Sequence, residues 1–355
     1  MTKEPKQFMI YGANGYTGEL IAREAVQRGL RPVLAGRNKT AIEAIAKELG
    51  LPSRIFALSF EDEVAENLTD IDVVIHCAGP FSSTAEPMMN ACLKSKTHYT
   101  DITGEINVFE LAQSMDQAAI KAGIVICPGV GFDVVPTDCL ASLLKQKMPD
   151  ATHLSLGFDS GSGLSPGTAK TSIEGIASGG RIRRDGKIKR VPLAYKQRTI
   201  DFGNGKKNAV TIPWGDVSTA FHSTGIPNIE VYIPMSPKAA NGMRKMNWFR
   251  WLVKIPLIQS KMKEQAEKKS RGPNLEQRNK LRTSLWGEVK NAAGETVTGR
   301  IETCNGYQLT YLAALEVNNY LLEAGDLKGG AYTPSKLINN QLIFQIEGTT
   351  EIVFS

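Results

Sequence analysis

Cysteine and histidine are scarce in this sequence, and they are not arranged as metal ligands or disulfide partners. The five cysteines form no C-x-x-C pair, and none of the four histidines stands four residues from another. The cysteines lie mostly inside apolar runs, as buried thiols do. We therefore expect neither a disulfide framework nor a metal site.

Long apolar runs are absent too. No window of about 18 residues is both apolar and uncharged, and the opening MTKEPKQ has no apolar core before a cleavage site. These absences predict a cytoplasmic protein without a spanning helix or a signal peptide.

Length and charge leave room for two domains with different surfaces. The 355 residues are 42% hydrophobic and 22% charged, which suffices for a large core. The net charge of +6 is uneven, because basic residues outnumber acidic ones mainly at 181–207 and 244–282. Basicity therefore belongs to particular surfaces. We expect no nucleic-acid partner, and a homodimer stays open.

Three glycines follow the first apolar run, in the sequence MIYGANGYTG at residues 9–18. The pattern predicts a strand, a tight turn and a helix. Gly12 permits the turn, Gly15 lets the backbone approach a pyrophosphate, and Gly18 lets the helix pack closely on the strand. The spacing is G-x-x-G-x-x-G instead of G-x-G-x-x-G, but the N–H groups at the start of the helix favour an anion. The stretch indicates a dinucleotide-binding site.

Short β-rich runs alternate with helical ones up to about residue 130. This alternation predicts an α/β fold whose N-terminal domain is a Rossmann doubly wound parallel sheet, where ligands bind beyond the carboxyl ends of the strands. The predicted strands are residues 7–11, 31–35, 54–58, 72–77, 97–101 and 124–127, and the predicted helices include 39–49, 84–94 and 106–122.

The second predicted strand ends without the acidic residue that holds the ribose hydroxyls of NAD. A carboxylate there would repel a 2′-phosphate, whereas the guanidinium of Arg37 can bind one through two hydrogen bonds. A solvated arginine in a turn is the alternative. We predict that the cofactor is NADP(H).

A different pattern begins after about residue 150, where Gly/Ser-rich residues 160–168 and basic residues 181–190 interrupt the predicted strands. Those strands are residues 154–158, 208–212, 229–234 and 288–298. We predict a Rossmann domain at 1–135, an α+β domain at 136–304 with a basic, aromatic helical insertion at 243–282, and a C-terminal segment at 305–355. A helix at 308–324 is expected to pack back on the first domain through Leu309, Leu312, Ala313, Val317 and Leu321.

Six motifs occur together along the chain. They are DVVIHCAGPF at residues 72–81, Ala91-Cys92, HYTDITGE at 98–105, GFDVVPTD at 131–138, GEVKNAAGE at 287–295 and Asn305-Gly306-Tyr307. As a set they resemble the saccharopine dehydrogenase-like oxidoreductases, and most nearly the branch that contains the trans-acting enoyl reductases. The resemblance covers nearly the whole chain. It implies an NADP-binding Rossmann domain, a second α+β domain inserted before the C-terminal helix, and hydride transfer.

The resemblance also implies which residues bind the cofactor. The residues concerned are Gly12, Asn14, Gly15, Tyr16, Thr17 and Gly18 for the pyrophosphate, Arg37 for the 2′-phosphate, Ala78, Gly79, Pro80 and Phe81 for the nicotinamide-side ribose, and Asn38 as a further cofactor-binding residue. A plain turn after a buried strand is the alternative for Gly79-Pro80.

Tyr99, Asp101 and Asp133 stand at predicted strand ends or loops that face the same crevice. Each is a candidate catalytic residue, because each can supply a proton or orient the group that does. The structural alternatives stay open: Tyr99 in the core, Asp101 capping residues 103–105, and Asp133 capping the helix at Pro136.

Two functions remain open. The first is an NADPH-dependent oxidoreductase that transfers a hydride to a C=C, C=N or C=O bond of a small or lipid-like substrate. The second is a nucleotide-binding, lipid- or membrane-associated protein with little or no turnover, which the lack of an obvious acid supports.

Residues 243–269 combine tryptophan, phenylalanine and aliphatic residues with many lysines and arginines. This combination on one amphipathic segment is typical of a helix that lies peripherally on a membrane, and its apolar part is too short and too charged to span. Two other interpretations stay open. The segment can pack its apolar face on its own domain, or it can form a mobile lid over an apolar substrate.

Overall fold

Two structural units share this polypeptide. A computed structural model describes residues 6–162, 165–253, 255–270 and 272–355. The first unit comprises the chain up to Asp133 together with Leu309–Ile338, and the second comprises Val134–Gln308 together with Asn339–Ser355. Parts of the predictions fall outside the described residues, at 1–5, 163–164, 254 and 271 and at the side chains of 252, 256, 263 and 266–269.

A parallel sheet forms the centre of the first unit. Its strands are β1 (Phe8–Tyr11), β2 (Val33–Gly36), β3 (Ser53–Ile55), β4 (Val73–His76), β5 (His98–Asp101) and β6 (Val125–Cys127), in the order β6-β5-β4-β1-β2-β3. Strands β1, β2 and β4 are buried at every residue, as strands covered on both faces are. The helices between the strands are α1 (Tyr16–Gln27), α2 (Lys39–Leu49), α3 (Glu61–Glu66), α4 (Phe81–Ser95), α5 (Ile106–Ser114) and α6 (Asp116–Ala122).

The six predicted strands are confirmed in number and sequence order, but the single helix predicted at 106–122 is wrong. It consists of α5 and α6, which meet at Met115, where φ is −89° and ψ is 2°. The Met115 N–H is shared between the carbonyl oxygens of Leu111 and Ala112, a pattern common at helix ends. The Ser114 hydroxyl also donates to the Leu111 carbonyl at 2.6 Å, so it competes with the helical backbone.

A mixed sheet forms the centre of the second unit. Its first eight strands are β7 (His153–Ser160), β8 (Gly180–Arg184), β9 (Lys187–Val191), β10 (Gln197–Asp201), β11 (Lys206–Ile212), β12 (Asn228–Pro234), β13 (Thr283–Lys290) and β14 (Thr296–Thr303). The order is β10-β11-β12-β7-β13-β14, and β8 joins β9 to β12. The helices are α7 (Val135–Lys147), α8 (Pro166–Ser178), α9 (Asp216–Thr224), α10 (Pro237–Val253), α11 (Pro256–Lys269) and α12 (Leu275–Lys280).

Two sequence predictions for this sheet are wrong. The strand predicted at 288–298 is a hairpin, because the chain turns between β13 and β14, where Asn291 Oδ1 accepts the Glu295 N–H. The basic stretch at 181–190 is not an interruption but the β8–β9 hairpin. Its turn is Asp185-Gly186, and both residues have positive φ, as Asp-Gly turns in hairpins do. The other three predicted strands are confirmed within β7, β11 and β12.

The chain returns to the first unit through α13 (Gly306–Glu323), β15 (Gly330–Ala331) and α14 (Pro334–Leu337). All five apolar residues predicted to pack are buried. Arg28 of α1 forms an ion pair with Glu316 of α13 at 2.6 Å, so the predicted packing of this helix is confirmed. The order of strands and helices confirms the α/β fold class. Strand β15 pairs with β6 as a seventh parallel strand, which was not predicted. The last elements are α15 (Leu342–Gln345) and β16 (Val353–Phe354), which pairs with β14.

The predicted helical insertion consists of α10, α11 and α12. Trp248 is 81% exposed, Phe249 64% and Trp251 61%. The interpretation that these three aromatic side chains pack on their own domain is therefore wrong. Within the described part of the chain, no helix has both the length and the apolar composition needed to cross a bilayer.

Candidate functional site

The carboxyl edge of the parallel sheet brings most of the predicted site residues together. Tyr11, His76 and Asp101 end β1, β4 and β5, and they stand opposite one another in register. The loops after these strands leave the sheet at the edge where ligands bind in open α/β folds. The glycine turn, the Ala78 to Phe81 loop and Asp101 therefore belong to one region.

The turn after β1 has no room for side chains at two of its glycines. Gly12 has a φ of +84°, and a Cβ there would lie 2.8 Å from the backbone nitrogen of Ala78. A Cβ at Gly18 would overlap the carbonyl oxygen of Gly12. The predicted reasons, a turn at Gly12 and close packing at Gly18, are therefore confirmed. Gly15 is exposed at the start of α1, and its approach to a pyrophosphate stays a prediction.

Three helices begin near this edge, and side chains cap two of them. The Asn38 side chain caps α2 by accepting the Ala41 N–H at 3.1 Å. The Glu105 carboxylate caps α4 by accepting the N–H groups of Phe81 and Ser82 at 3.0 and 2.8 Å. Helix α1 begins after a glycine and has no side-chain cap. The start of α1, where the N-cap residue is a glycine without a side chain, is therefore the candidate position for an anion among the three.

Arg37 follows β2 and is exposed. Among the described residues it has no hydrogen-bond or ion-pair partner, so its guanidinium can receive a phosphate. Asn38, which was predicted to contact the cofactor, uses its Oδ1 to cap α2. Asn14 is exposed, and its Oδ1 lies 3.4 Å from the position of a Cβ on Gly36, at the end of β2. Tyr16 and Thr17, in the first turn of α1, are half-buried.

The loop after β4 lies against the glycine turn. Ala78 limits the space beside Gly12, and Gly79 is exposed. Pro80 precedes α4, and the Phe81 ring packs edge-on against the His76 ring at 5.4 Å. The predicted ribose-binding residues therefore adjoin the predicted pyrophosphate-binding turn.

Tyr99 and Asp101 form a buried pair. The Tyr99 hydroxyl donates to Asp101 Oδ2 at 2.7 Å, and Asp101 Oδ1 accepts the N–H groups of Thr103 and Gly129 at 2.9 and 2.7 Å. Neither residue has any exposed surface. Burial raises the pKa of Asp101 to about 7, although these hydrogen bonds lower it. The pair ties the loop after β5 to the loop after β6, which favours the structural alternative for both residues.

Asp133 differs from this pair because it is half-buried and accepts no hydrogen bond within the described part of the chain. Its Oδ2 lies 2.9 Å from the position of a Cβ on Gly104, so only glycine leaves room for it there. Burial raises the pKa of Asp133 to about 7, and the negative charges of Asp101 and Glu105 add to this effect. Asp133 does not cap α7, which begins after Val134 without a side-chain cap. Of the three predicted catalytic residues, Asp133 is therefore the one that has accessible surface.

Sequence reasoning assigned no role to Glu105 or His76. The sequence does carry a signal for Glu105. It is an acidic residue that follows β5, while α4 starts after Pro80, which has no side chain that can cap the helix. His76 has no comparable signal, because its role depends on burial. Its Nε2 lies 3.0 Å from the Thr84 hydroxyl, and its Nδ1 has no hydrogen-bond partner. Burial lowers the pKa of His76 to about 3, so the ring is neutral at physiological pH.

Known proteins are similar to parts of this chain in sequence, and one solved structure is similar to it in fold. Residues 8–127 match the family described as the saccharopine dehydrogenase NADP binding domain. The human saccharopine dehydrogenase-like oxidoreductase is 28% identical over 223 residues, which are 54% of this chain and 51% of that protein. The trans-acting enoyl reductase of Mycobacterium ulcerans (strain Agy99) is 30% identical over 143 residues, 37% of this chain and 34% of that protein.

A solved structure gives a likeness over the full length. Apo histidine-tagged saccharopine dehydrogenase (L-Glu forming) from Saccharomyces cerevisiae has a TM-score of 0.65 and 11% identity, covering 99% of this chain and 100% of that one. At this identity the likeness shows the fold alone. The chain spans about half the length, 51%, of the human relative. Residues 8–127 thus match the saccharopine dehydrogenase NADP binding domain, about half of the chain is similar in sequence to the human saccharopine dehydrogenase-like oxidoreductase, and the whole chain shares the fold of saccharopine dehydrogenase.

Proposed function

We propose that this protein is an NADPH-dependent oxidoreductase that reduces a C=C, C=N or C=O bond of a small or lipid-like substrate. The observation that carries the proposal is Asp133, a half-buried carboxyl with a pKa of about 7 on the loop after β6. That loop leaves the same edge of the sheet as the loops of the NADP-binding site.

The residues at this edge fit NADPH in two respects. The first turn of α1 offers backbone N–H groups to a pyrophosphate, because Gly15 places no side chain over them. Arg37, with no described partner, offers a guanidinium to the 2′-phosphate. The turn glycines hold these groups in place, since Gly12 and Gly18 pack against backbone atoms.

Reduction by a nicotinamide cofactor delivers a hydride, and a proton must come from elsewhere. Asp133 has accessible surface, and its carboxyl is partly protonated at neutral pH because its pKa is raised to about 7. Asp101 and Tyr99 hold the loops on either side through buried hydrogen bonds. They therefore position the site without touching the substrate.

The substrate class is inferred from the relatives and from the surface of the second unit. The relative from Mycobacterium ulcerans is named an enoyl reductase, which favours a C=C bond. The exposed aromatic residues of α10 favour contact with lipid. The same exposed residues also support the second candidate function, a nucleotide-binding, lipid-associated protein with little turnover.

The test is consumption of NADPH with a panel of enoyl, imine and carbonyl acceptors, run beside a direct measurement of NADPH affinity. We expect turnover with one acceptor class, and a loss of turnover in Asp133→Asn at unchanged NADPH affinity. Glu86→Gln is the matched control, because Glu86 is an exposed acid on α4. Tight NADPH binding without turnover on any acceptor class would favour the second function. No NADPH binding would overturn both.

A further inference from the structure

Helix α10 is held by one face only. Ala240 and Met243 pack against Ala194 and Val210 of the second unit, and Val253 packs near the end of the helix in a cluster with the buried residues of α8. These residues recur on one side of the helix. The opposite side therefore carries residues that the unit does not cover.

The uncovered side is apolar over two consecutive helices. It comprises Trp248, Phe249 and Trp251 on α10, Ile255 between the helices, and Leu257 and Ile258 on α11, all of them exposed. We call these six residues the apolar patch. Leu257 is 67% exposed, which is comparable with the three aromatic residues. Six large exposed apolar residues within eleven positions of the chain favour an interaction surface.

The segment that carries the apolar patch is strongly basic. From 237 to 269 the sequence has nine lysines and arginines and two glutamates, a surplus of seven positive charges. This exceeds the net charge of the whole chain, which is +6. A partner that matches this surface must therefore be negatively charged as well as apolar.

A cavity of about 260 Å³ opens beside α10, lined by Arg190, Val191, Pro192, Asn247 and Arg250. The Arg250 guanidinium lies directly over Gly179, where any Cβ would overlap it. The positive charges of Arg190 and Arg250 add to burial in lowering the pKa of Arg181, so three guanidinium groups are close together. No carboxylate pairs with any of the three within the described residues. Such a cavity suits an anion with several oxygens, such as a phosphate.

We propose that the apolar patch and the arginine cavity together dock this protein on an anionic phospholipid bilayer. Trp248, Phe249 and Trp251 enter the boundary between headgroups and acyl chains, where amphipathic aromatic rings are favoured. The cavity between Arg190 and Arg250 receives the phosphate of a lipid headgroup. The basic residues of the segment 237–269 add a long-range attraction to the negative surface of the bilayer.

Charge decides between a bilayer and a second copy of this chain. Two copies that met through their apolar patches would bring together two segments with seven surplus positive charges each. Like charges across an interface are unfavourable, whereas an anionic bilayer supplies the opposite charge. The bilayer therefore satisfies both the apolar and the electrostatic part of the surface.

The test is co-sedimentation of the full chain with vesicles of phosphatidylcholine and phosphatidylserine, compared with vesicles of phosphatidylcholine alone. We expect binding to the mixed vesicles at low salt and release at high salt, because screening shortens the reach of the charges. We also expect a blue shift of tryptophan emission on binding. Absence of binding to mixed vesicles at low salt would overturn the proposal.

Two variants separate the parts of the surface. Trp248→Ser/Trp251→Ser should lower partitioning at least tenfold and abolish the blue shift, and Arg190→Glu/Arg250→Glu should lower partitioning at least tenfold. Phe60→Ser is the control for an exposed aromatic residue, since Phe60 is 70% exposed. Lys47→Glu/Lys121→Glu is the control for the change of charge, because both lysines are exposed in the first unit. Equal losses in variants and controls would overturn the proposal.

Two further measurements distinguish other occupants. If inorganic phosphate binds through Arg190 and Arg250 while vesicles do not, the cavity is a phosphate site and docking is wrong. If sedimentation velocity shows a dimer that the tryptophan variant loses, and vesicles do not bind, the patch is a self-association surface. Melting curves of all variants show whether a loss reflects unfolding. Vesicle binding is measured without NADPH, so its failure is separate from failure of the proposed oxidoreductase function.

Discussion

The carboxylate of Glu105 accepts the backbone N–H of Phe81 at 3.0 Å, and so caps a helix that begins 24 residues earlier in the chain. The loop after β5 is thereby fastened to the loop after β4. The same contact places the negative charge of the Glu105 carboxylate at the N-terminus of α4. The candidate position for a cofactor phosphate is therefore the start of α1, which follows the glycine turn and has no side chain on its N-cap residue.

Replacing Glu105 by alanine should destabilise the first unit. Two N–H groups at the start of α4 would lose their acceptor, and loss of such a cap costs about 1–2 kcal/mol. The measurement is urea unfolding followed by circular dichroism. Glu86→Ala removes the same charge from an exposed position on α4 and should change stability little. Equal effects of the two substitutions would contradict the capping role.

Arg37→Ala should discriminate between the two nicotinamide cofactors. One charge-assisted bidentate contact is worth about 1.5–3 kcal/mol, so NADPH affinity should fall tenfold or more. NADH affinity should stay nearly unchanged, because NADH has no 2′-phosphate. Titration calorimetry with both cofactors measures this, with Lys47→Ala at the far end of α2 as the control. Parallel losses for NADPH and NADH would show that Arg37 does not bind the phosphate.

Gly18→Ala should disrupt the glycine turn, because the new Cβ would overlap the carbonyl oxygen of Gly12. We expect a loss of about 1–3 kcal/mol in stability and a large loss in NADPH affinity. Gly175→Ala in α8 is the matched control, since a Cβ there meets nothing within 4 Å. That substitution should raise stability by up to about 1 kcal/mol. A tolerated alanine at Gly18 would contradict the close packing of α1 on β1.

Asp133 should give reduction a characteristic pH dependence. Its pKa is about 7, so the carboxyl holds its proton below that pH and loses it above. If Asp133 donates the proton, kcat/KM should fall as pH rises through about 7, and Asp133→Asn should lower kcat/KM about 100-fold. The variant should also lack this fall in its pH profile. A profile that keeps the same fall in Asp133→Asn would assign it to another group.

The free energy of unfolding should also depend on the ionisation of Asp133. The pKa of Asp133 rises from 3.8 in an open chain to about 7 in the folded protein. At this carboxyl the folded state therefore binds more protons between these values, so Asp133 by itself makes the free energy of unfolding decrease as pH rises from about 4 to about 7. Melting temperatures of the wild-type protein and of Asp133→Asn across this range check the sign, because the difference between the two isolates Asp133. Asp101, whose pKa is also raised to about 7, adds to the decrease, and His76, whose pKa is lowered to about 3, opposes it.

Local chemistry made much of the first unit predictable. Strand β1, the turn at Gly12 and helix α1 depend on residues within about ten positions of one another, so periodicity and glycine spacing suffice. The absence of an acidic residue after β2, which predicted NADP(H), is likewise a local feature of the sequence. The hairpin at 181–190 was missed although its Asp-Gly turn is equally local, because its basic side chains were taken to interrupt the sheet.

The sequence by itself therefore determined the parallel sheet, the glycine turn and the NADP-binding character, because each depends on neighbours along the chain. Only the tertiary structure decided that Tyr99 and Asp101 are buried, that Glu105 caps α4 and that Trp248 faces outward. The physical reason is that burial and long-range hydrogen bonds are set by whichever distant segment packs alongside. A tyrosine at a strand end, or a tryptophan on an amphipathic helix, has the same local pattern whether or not another element covers it.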